Sequence, residues 1–177
     1  AISKIRDIAT SRNIAMHLDG ARLFNAVCAT GIRPDVYAAH FETISFCLSK
    51  GLGAPVGSMV VSSEARIAHM RRIRKMYGGG MRQVGILAAA GLYALEHNMA
   101  RFQDDHANAQ LLAQGLAKIP GAEIDAKTVE TNIVLFDVAG ITQEPDQLLK
   151  RLKEEGVLVS RFTTTIFRAV THLDVSQ

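Results

Sequence analysis

Residues 46–58 read Phe-Cys-Leu-Ser-Lys-Gly-Leu-Gly-Ala-Pro-Val-Gly-Ser: an apolar run, then Lys50, then Gly51, Gly53, Pro55 and Gly57. The run from Thr43 to Leu48 is short, apolar and bounded by turn formers, which predicts a buried strand. Ser58 to Val61 predicts another after the glycine and proline punctuation. Upstream, Ile2, Ile5, Ile8 and Ala9 recur at helical spacing within residues 2–11, and the short apolar run Ile14, Ala15, Met16 ends in the polar His17 and Asp19. That order predicts a helix and then a strand, and Ala21 to Cys28 predicts a further short helix. Strands alternating with helices predict an α/β sheet. A chain that opens in a helix leading into a strand, with no strand before it, is expected to begin in the middle of that sheet.

Downstream, residues 81–96 are rich in Ala, Leu and Ile and predict a largely buried helix, followed by a polar helix over 101–118. The composition turns from Ala-rich to charged between Asn98 and Asp105, which places a domain boundary there and gives domains 1–100 and 101–177. Beyond it the sequence predicts a Pro120-Gly121 turn, a strand over 132–138, a helix over 144–155 and strands over 157–160 and 167–170. That order reads as a small α+β domain. No internal repeat or low-complexity tract is visible.

The chain has 177 residues, 48% of them hydrophobic, enough for one core or for one core and a small second domain. The net charge of +3 arises from Lys and Arg interspersed with acids. The one dense basic run, Arg66 to Lys75, sets Arg71, Arg72, Arg74 and Lys75 around Met70, Ile73 and Met76, as expected of a helix with one apolar stripe and one wet face. Neither a nucleic acid nor a membrane is an expected partner. Cys28 and Cys47 lie in apolar surroundings without metal-ligand spacing, and read as buried free thiols of a reducing compartment. No apolar run reaches the roughly 18 residues of a membrane span, and residues 1–7 lack the order of a signal peptide. A soluble, cytoplasmic protein is expected.

Two clusters carry chemistry. A lysine at the end of a buried strand is costly without a task. Burial disfavours an ammonium, and an amine that is neutral part of the time can attack an aldehyde to form an imine. Lys50 has that position, and the glycines after it allow a sharp turn and the approach of something bulky. The alternative is a strand-end lysine that reaches solvent. In His-Leu-Asp-Gly-Ala-Arg (17–22), Asp19 and Arg22 follow a predicted strand, and an acid at a strand's C-terminal end is well placed for ligand contact in an open sheet. A carboxylate paired with a pyridinium nitrogen would keep that nitrogen protonated, as the electron sink of pyridoxal phosphate (PLP) requires. The alternative makes Asp19 the N-cap of a helix beginning near Ala21, with Arg22 as its surface partner.

Four motifs in order, His-Leu-Asp-Gly-Ala-Arg (17–22), Cys-Leu-Ser-Lys-Gly-Leu-Gly-Ala-Pro-Val-Gly-Ser (47–58), the run from Gly78 to His97, and Arg-Ala-Val-Thr-His-Leu-Asp-Val (168–175), resemble the low-specificity L-threonine aldolases. These are PLP enzymes of the aspartate-aminotransferase-like fold, fold type I. The resemblance runs from about Ile14 to the C-terminus. It implies an α/β fold in which this chain is the C-terminal part of the PLP-binding large domain plus a small C-terminal domain.

By that resemblance Lys50 holds the cofactor as a Schiff base, Asp19 partners the pyridine nitrogen, and Arg22 donates near the ring's phenolic oxygen. Arg168 matches the arginine that binds the substrate carboxylate, and a bidentate fork suits that task. Taken alone, Arg168 reads as an edge-strand arginine of the small domain. Arg82, with Lys75 upstream, matches basic residues near the active site and the subunit contact, and Gly78 to Gly80 offer a turn and an anion-binding nest. The family's phosphate loop and the histidine that stacks on the cofactor ring are not found here. The implied partners are an N-terminal part of the same enzyme, a β-hydroxy-α-amino acid substrate and further copies in a dimer or tetramer. The implied reaction cleaves threonine or allo-threonine to glycine and acetaldehyde. The rival readings are another PLP lyase, β-eliminating or phenylserine-cleaving, and a non-catalytic fragment that binds a partner through the Ala-rich helix after Met81.

Overall fold

The computed structural model describes residues 1–176, and the chain divides into two compact units, the first ending at Ala100 and the second beginning at Arg101. In the first, helix α1 (Ile2–Ser11) leads to strand β1 (His17–Asp19), helix α2 (Leu23–Thr30), the short helix α3 (Pro34–Ala38), and strands β2 (Thr43–Cys47) and β3 (Ser58–Ser62). Two helices follow, α4 (Glu64–Met76) and α5 (Gly85–His97). The sheet order is β1-β2-β3. β1 runs parallel to β2, with His17 beside Thr43 and Asp19 beside Ser45, and β3 returns antiparallel with Ser58 beside Cys47. One sheet face, carrying Leu18, Ile44 and Phe46, packs on α2, where Phe24 meets Phe46 edge to face with ring centroids 5.3 Å apart.

β1 lies over residues 17–19 rather than over the apolar run at 14–16. The reason is hydrogen bonding: the Ile14 N–H closes the end of α1 on Ala9, and Met16 is held at both its N–H and its carbonyl by Glu42. Pairing with β2 therefore begins one residue later, at His17. The helix expected from Met81 also starts late, at Gly85, because Gln83 adopts a φ of 48° that ends any helical run. α5 is apolar on all sides yet buries only Gly91 and Ala94, so it is not the largely buried helix expected. Ile86, Leu92 and Tyr93 face water.

The second unit runs helix α6 (Phe102–Leu116), strand β4 (Ile133–Asp137), helix α7 (Pro145–Glu154) and strands β5 (Ser160–Arg161) and β6 (Ile166–Val170), and its three strands form an antiparallel sheet in the order β4-β6-β5. Alternation decides its faces. Val134, Phe136, Phe167 and Ala169 are buried against Ala109 and Ala113 of α6, while Leu148, Leu149 and Leu152 of α7 close the cluster. Leu135 and Arg168, paired in register, lie on the opposite face. β5 is shorter and later than expected, since Gly156 at φ 82° and the Val157 N–H, bonded to Leu152, are spent on ending α7.

Candidate active site

β1 and β2 are parallel, so their C-terminal ends share one edge of the sheet. Asp19 is the last residue of β1, and Lys50 comes three residues after the end of β2. The structure thus brings these two expected residues to one edge, the location at which ligands bind open α/β sheets.

Asp19 is fixed by its own turn. Its Oδ1 accepts the Ala21 N–H at 3.2 Å, and the Gly20 N–H donates to the Ser45 carbonyl at 2.7 Å, which ties the turn to β2. Among the described residues no hydrogen bond reaches Oδ2, and the side chain is exposed. Asp19 does not cap α2: the N-cap is Arg22, with no side-chain cap bond. Arg22 itself is half-buried.

The clamp at Glu42 places β1. One carboxylate oxygen accepts the Met16 N–H and the other accepts from Arg6, both at 2.5 Å, so three segments meet on one side chain. The Met16 amide and then the Arg6 guanidinium hold the Glu42 carboxyl below its ordinary range. This clamp was not anticipated from sequence. An acid at the strand's entrance, with a basic residue on the preceding amphipathic helix, is the only sequence signal for it.

Lys50 is exposed, not buried. β2 ends at Cys47, and the lysine opens a tight turn whose Gly53 N–H returns to the Lys50 carbonyl at 2.8 Å, with Gly53 at φ 75°. Burial is therefore not what would activate this amine in the chain described here. The loop around it is nonetheless anchored. Leu52 is 1% exposed, Ala54 is buried, and Asn98 donates from Nδ2 to the Leu52 carbonyl at 2.7 Å. A long flexible side chain thus projects from a fixed backbone, and Nζ has no hydrogen bond or ion pair among the described residues.

The glycines at 78–80 do not form a nest. Gly78, at φ 75°, donates to the Lys75 carbonyl and Gly79 donates to the Arg74 carbonyl, the two bonds of a Schellman cap at the end of α4. Two amides expected to hold an anion are spent on a helix end. Arg82 follows in the exposed stretch between α4 and α5. The basic helix α4 buries no residue, and its stripe is only half covered: Ile67 and Met70 are half-buried, whereas Ile73 and Met76 are exposed. The thiols are half-buried rather than buried, both free, with burial pushing Cys28 upward.

Arg168 belongs to the second unit. It is half-buried on the open face of the sheet, between Leu135 on β4 and Ser160 on β5, and no hydrogen bond or ion pair engages its guanidinium among the described residues. A half-buried guanidinium without a partner is suited to an anion.

Comparison with known proteins identifies the family of this chain. A family profile described as beta-eliminating lyase matches residues 1–139. The chain belongs to the beta-eliminating lyase family. Its relatives include low-specificity L-threonine aldolase 1 of Arabidopsis thaliana, 41% identical over 98% of this chain and 49% of that protein, and the low specificity L-threonine aldolase of Escherichia coli K12, 44% identical over 97% of this chain and 49% of that protein. The chain spans about half the length of these curated relatives. Among solved structures, a proposed L-allo-threonine aldolase from Listeria monocytogenes EGD-E superposes with a TM-score of 0.82 at 18% identity, covering 98% of this chain and 50% of that one. The fold of a beta-eliminating lyase is thus established over the matched half, and the fold-type I expectation holds for it. No helix among the described residues is long and apolar enough to cross a membrane.

Proposed function

We propose that this chain supplies the cofactor-holding and carboxylate-binding residues of a PLP-dependent carbon–carbon lyase that cleaves L-threonine and L-allo-threonine to glycine and acetaldehyde. The observation that carries the reading is the placement of an unpartnered Lys50 amine and the Asp19 carboxylate at one edge of the sheet. Those residues fit PLP at its aldehyde and at its ring nitrogen. Lys50 would hold the cofactor covalently through Nζ, and Asp19 Oδ2 would accept the ring N–H. Arg22 would donate at the ring's oxygen, while Arg82 would serve the phosphate or a subunit contact. When bound, PLP supplies a sink for the electron pair of the broken bond. The fork of Arg168 fixes the substrate carboxylate and so orients the bond to be cleaved. No base is assigned.

The working enzyme is a cytoplasmic homo-oligomer, a dimer or tetramer, that includes the N-terminal half of the family's large domain. A second reading follows from the matched family's description, since Lys50 and Asp19 serve β-elimination equally well. The test is to supply threonine and follow both products. Glycine and acetaldehyde in equal amounts support the aldolase, ammonia release supports the eliminating lyase, and neither product with PLP bound refutes both.

A further inference from the structure

Alternation gives β1–β3 two unlike faces. One carries Leu18, Ile44, Phe46, Met59 and Val61, and the other carries His17, Asp19, Thr43, Ser45, Cys47, Ser58 and Ser62, with Val60 its one aliphatic residue. A parallel pair within an α/β protein is expected to be apolar on both faces, so core packing does not explain the polar one. Its contacts are specific. His17 Nδ1 lies 2.8 Å from Thr43 Oγ1, and Nε2 lies 3.5 Å from Ser45 Oγ.

The register gives these contacts a direction. His17 is beside Thr43 and Asp19 is beside Ser45, so the imidazole reaches from its own rung to the next rung on the same face, the one that holds Asp19. Ser45 is shared: its hydroxyl is within reach of His17, and its carbonyl accepts the Gly20 N–H that fixes the turn after Asp19. β1 has only three residues, so few backbone bonds set the direction of its last side chain.

We propose that His17 is a positioning residue for Asp19: by bridging Thr43 and Ser45, its ring fixes the end of β1 so that the Asp19 carboxylate meets the cofactor's ring nitrogen at one place. This rests on the reading of Asp19 given under the proposed function. The fold does not depend on the bridge, because β1 is also held by Met16 on Glu42 and by Gly20 on Ser45, and His17 is exposed.

The test compares His17→Leu, His17→Asn and Asp19→Asn with the wild type in the protein as the cell makes it, reading PLP affinity, the absorbance band of bound PLP and the thermal midpoint. In His17→Leu, PLP should dissociate about tenfold more readily, the change expected from one misplaced charge-assisted bond, and the band should shift while the midpoint holds. In His17→Asn, whose amide nitrogen can take the place of Nδ1 toward Thr43, most of the affinity should return. Affinity and band unchanged in His17→Leu, with Asp19→Asn weakened, would overturn this inference alone. A midpoint that falls in step with affinity, without rescue by His17→Asn, would make His17 structural and overturn it too. PLP affinity unchanged in Asp19→Asn would instead overturn the assignment of Asp19 on which it rests.

Discussion

Gly20 approaches Ser45 so closely that a Cβ on the glycine would stand 2.8 Å from the Ser45 carbonyl oxygen, the atom its own N–H bonds at 2.7 Å. Real Cβ atoms do not come that near, and the obstacle is backbone, which cannot swing aside. Gly20→Ala must therefore push the turn off β2, displacing Asp19 on one side and α2 on the other. A loss on the order of 1–3 kcal/mol is expected from such overpacking. Urea unfolding would measure it, and PLP affinity should fall together with stability. An unchanged midpoint would show that β1 and β2 separate more freely than the register implies.

Lys50 is expected to carry the cofactor covalently. Borohydride reduction in the presence of PLP, followed by peptide mapping, should place the label on Lys50, and Lys50→Ala should abolish it. A label on Lys75 or Lys4 with Lys50 clean would refute the assignment.

Arg168 has no partner among the described residues, so replacing it should leave the sheet almost undisturbed. Arg168→Lys keeps the charge but not the fork. KM for threonine should rise and kcat fall, each by about tenfold if one bond of the pair is lost. The PLP absorbance should remain. Loss of absorbance with KM unchanged would assign Arg168 to the cofactor instead.

The start of α6 makes the second unit sensitive to pH. Burial pushes the His106 imidazole below its ordinary 6.5, more strongly than neighbouring Asp105 pulls it up. The folded state then holds fewer protons than the unfolded one just below 6.5, so stability present above that value is lost as pH falls through it. Asp105 acts in the opposite sense. Its carboxylate is 1% exposed, with Arg101 Nη2 at 3.5 Å as its nearest cation, and burial pushes it upward against that arginine. Its contribution falls as pH rises through the ordinary carboxylate value of 3.8 toward the raised one. His106→Gln should flatten the decline below 6.5, and Asp105→Asn should stabilise the protein near neutrality. Urea midpoints across that range would show both slopes, and parallel curves for His106→Gln and wild type would refute the first.

The second unit was legible in sequence because its periodicities are unmixed. Val134 and Phe136 alternate with outward residues on β4, and Ala109 and Ala113 recur at helical spacing on α6. The first unit was less legible where hydrogen bonds decide against hydropathy. Ile14 to Met16 looks like a strand but serves the end of α1 and the Glu42 clamp, whereas the polar His17 to Asp19 makes the ladder. For the candidate site, sequence located Asp19 and Lys50 by type and order, and the parallel register accounts for their common edge. It could not show that Lys50 lies past the strand in solvent, because an apolar run does not mark where pairing stops. Nor could three glycines in a row distinguish an anion nest from a helix cap, since both use the same φ > 0 backbone.

The end of α4 has a consequence for proteolysis. Arg71, Arg72, Arg74, Lys75 and Arg82 all lie in a stretch where every residue from 71 to 86 is exposed, and α4 buries none of its own residues. A helix held this lightly opens locally at little cost, and a protease needs only the opened form. Trypsin acting briefly on this chain should therefore cut first between Met70 and Gln83, releasing a piece that carries both Asp19 and Lys50 with strands β1–β3 from one that carries α5.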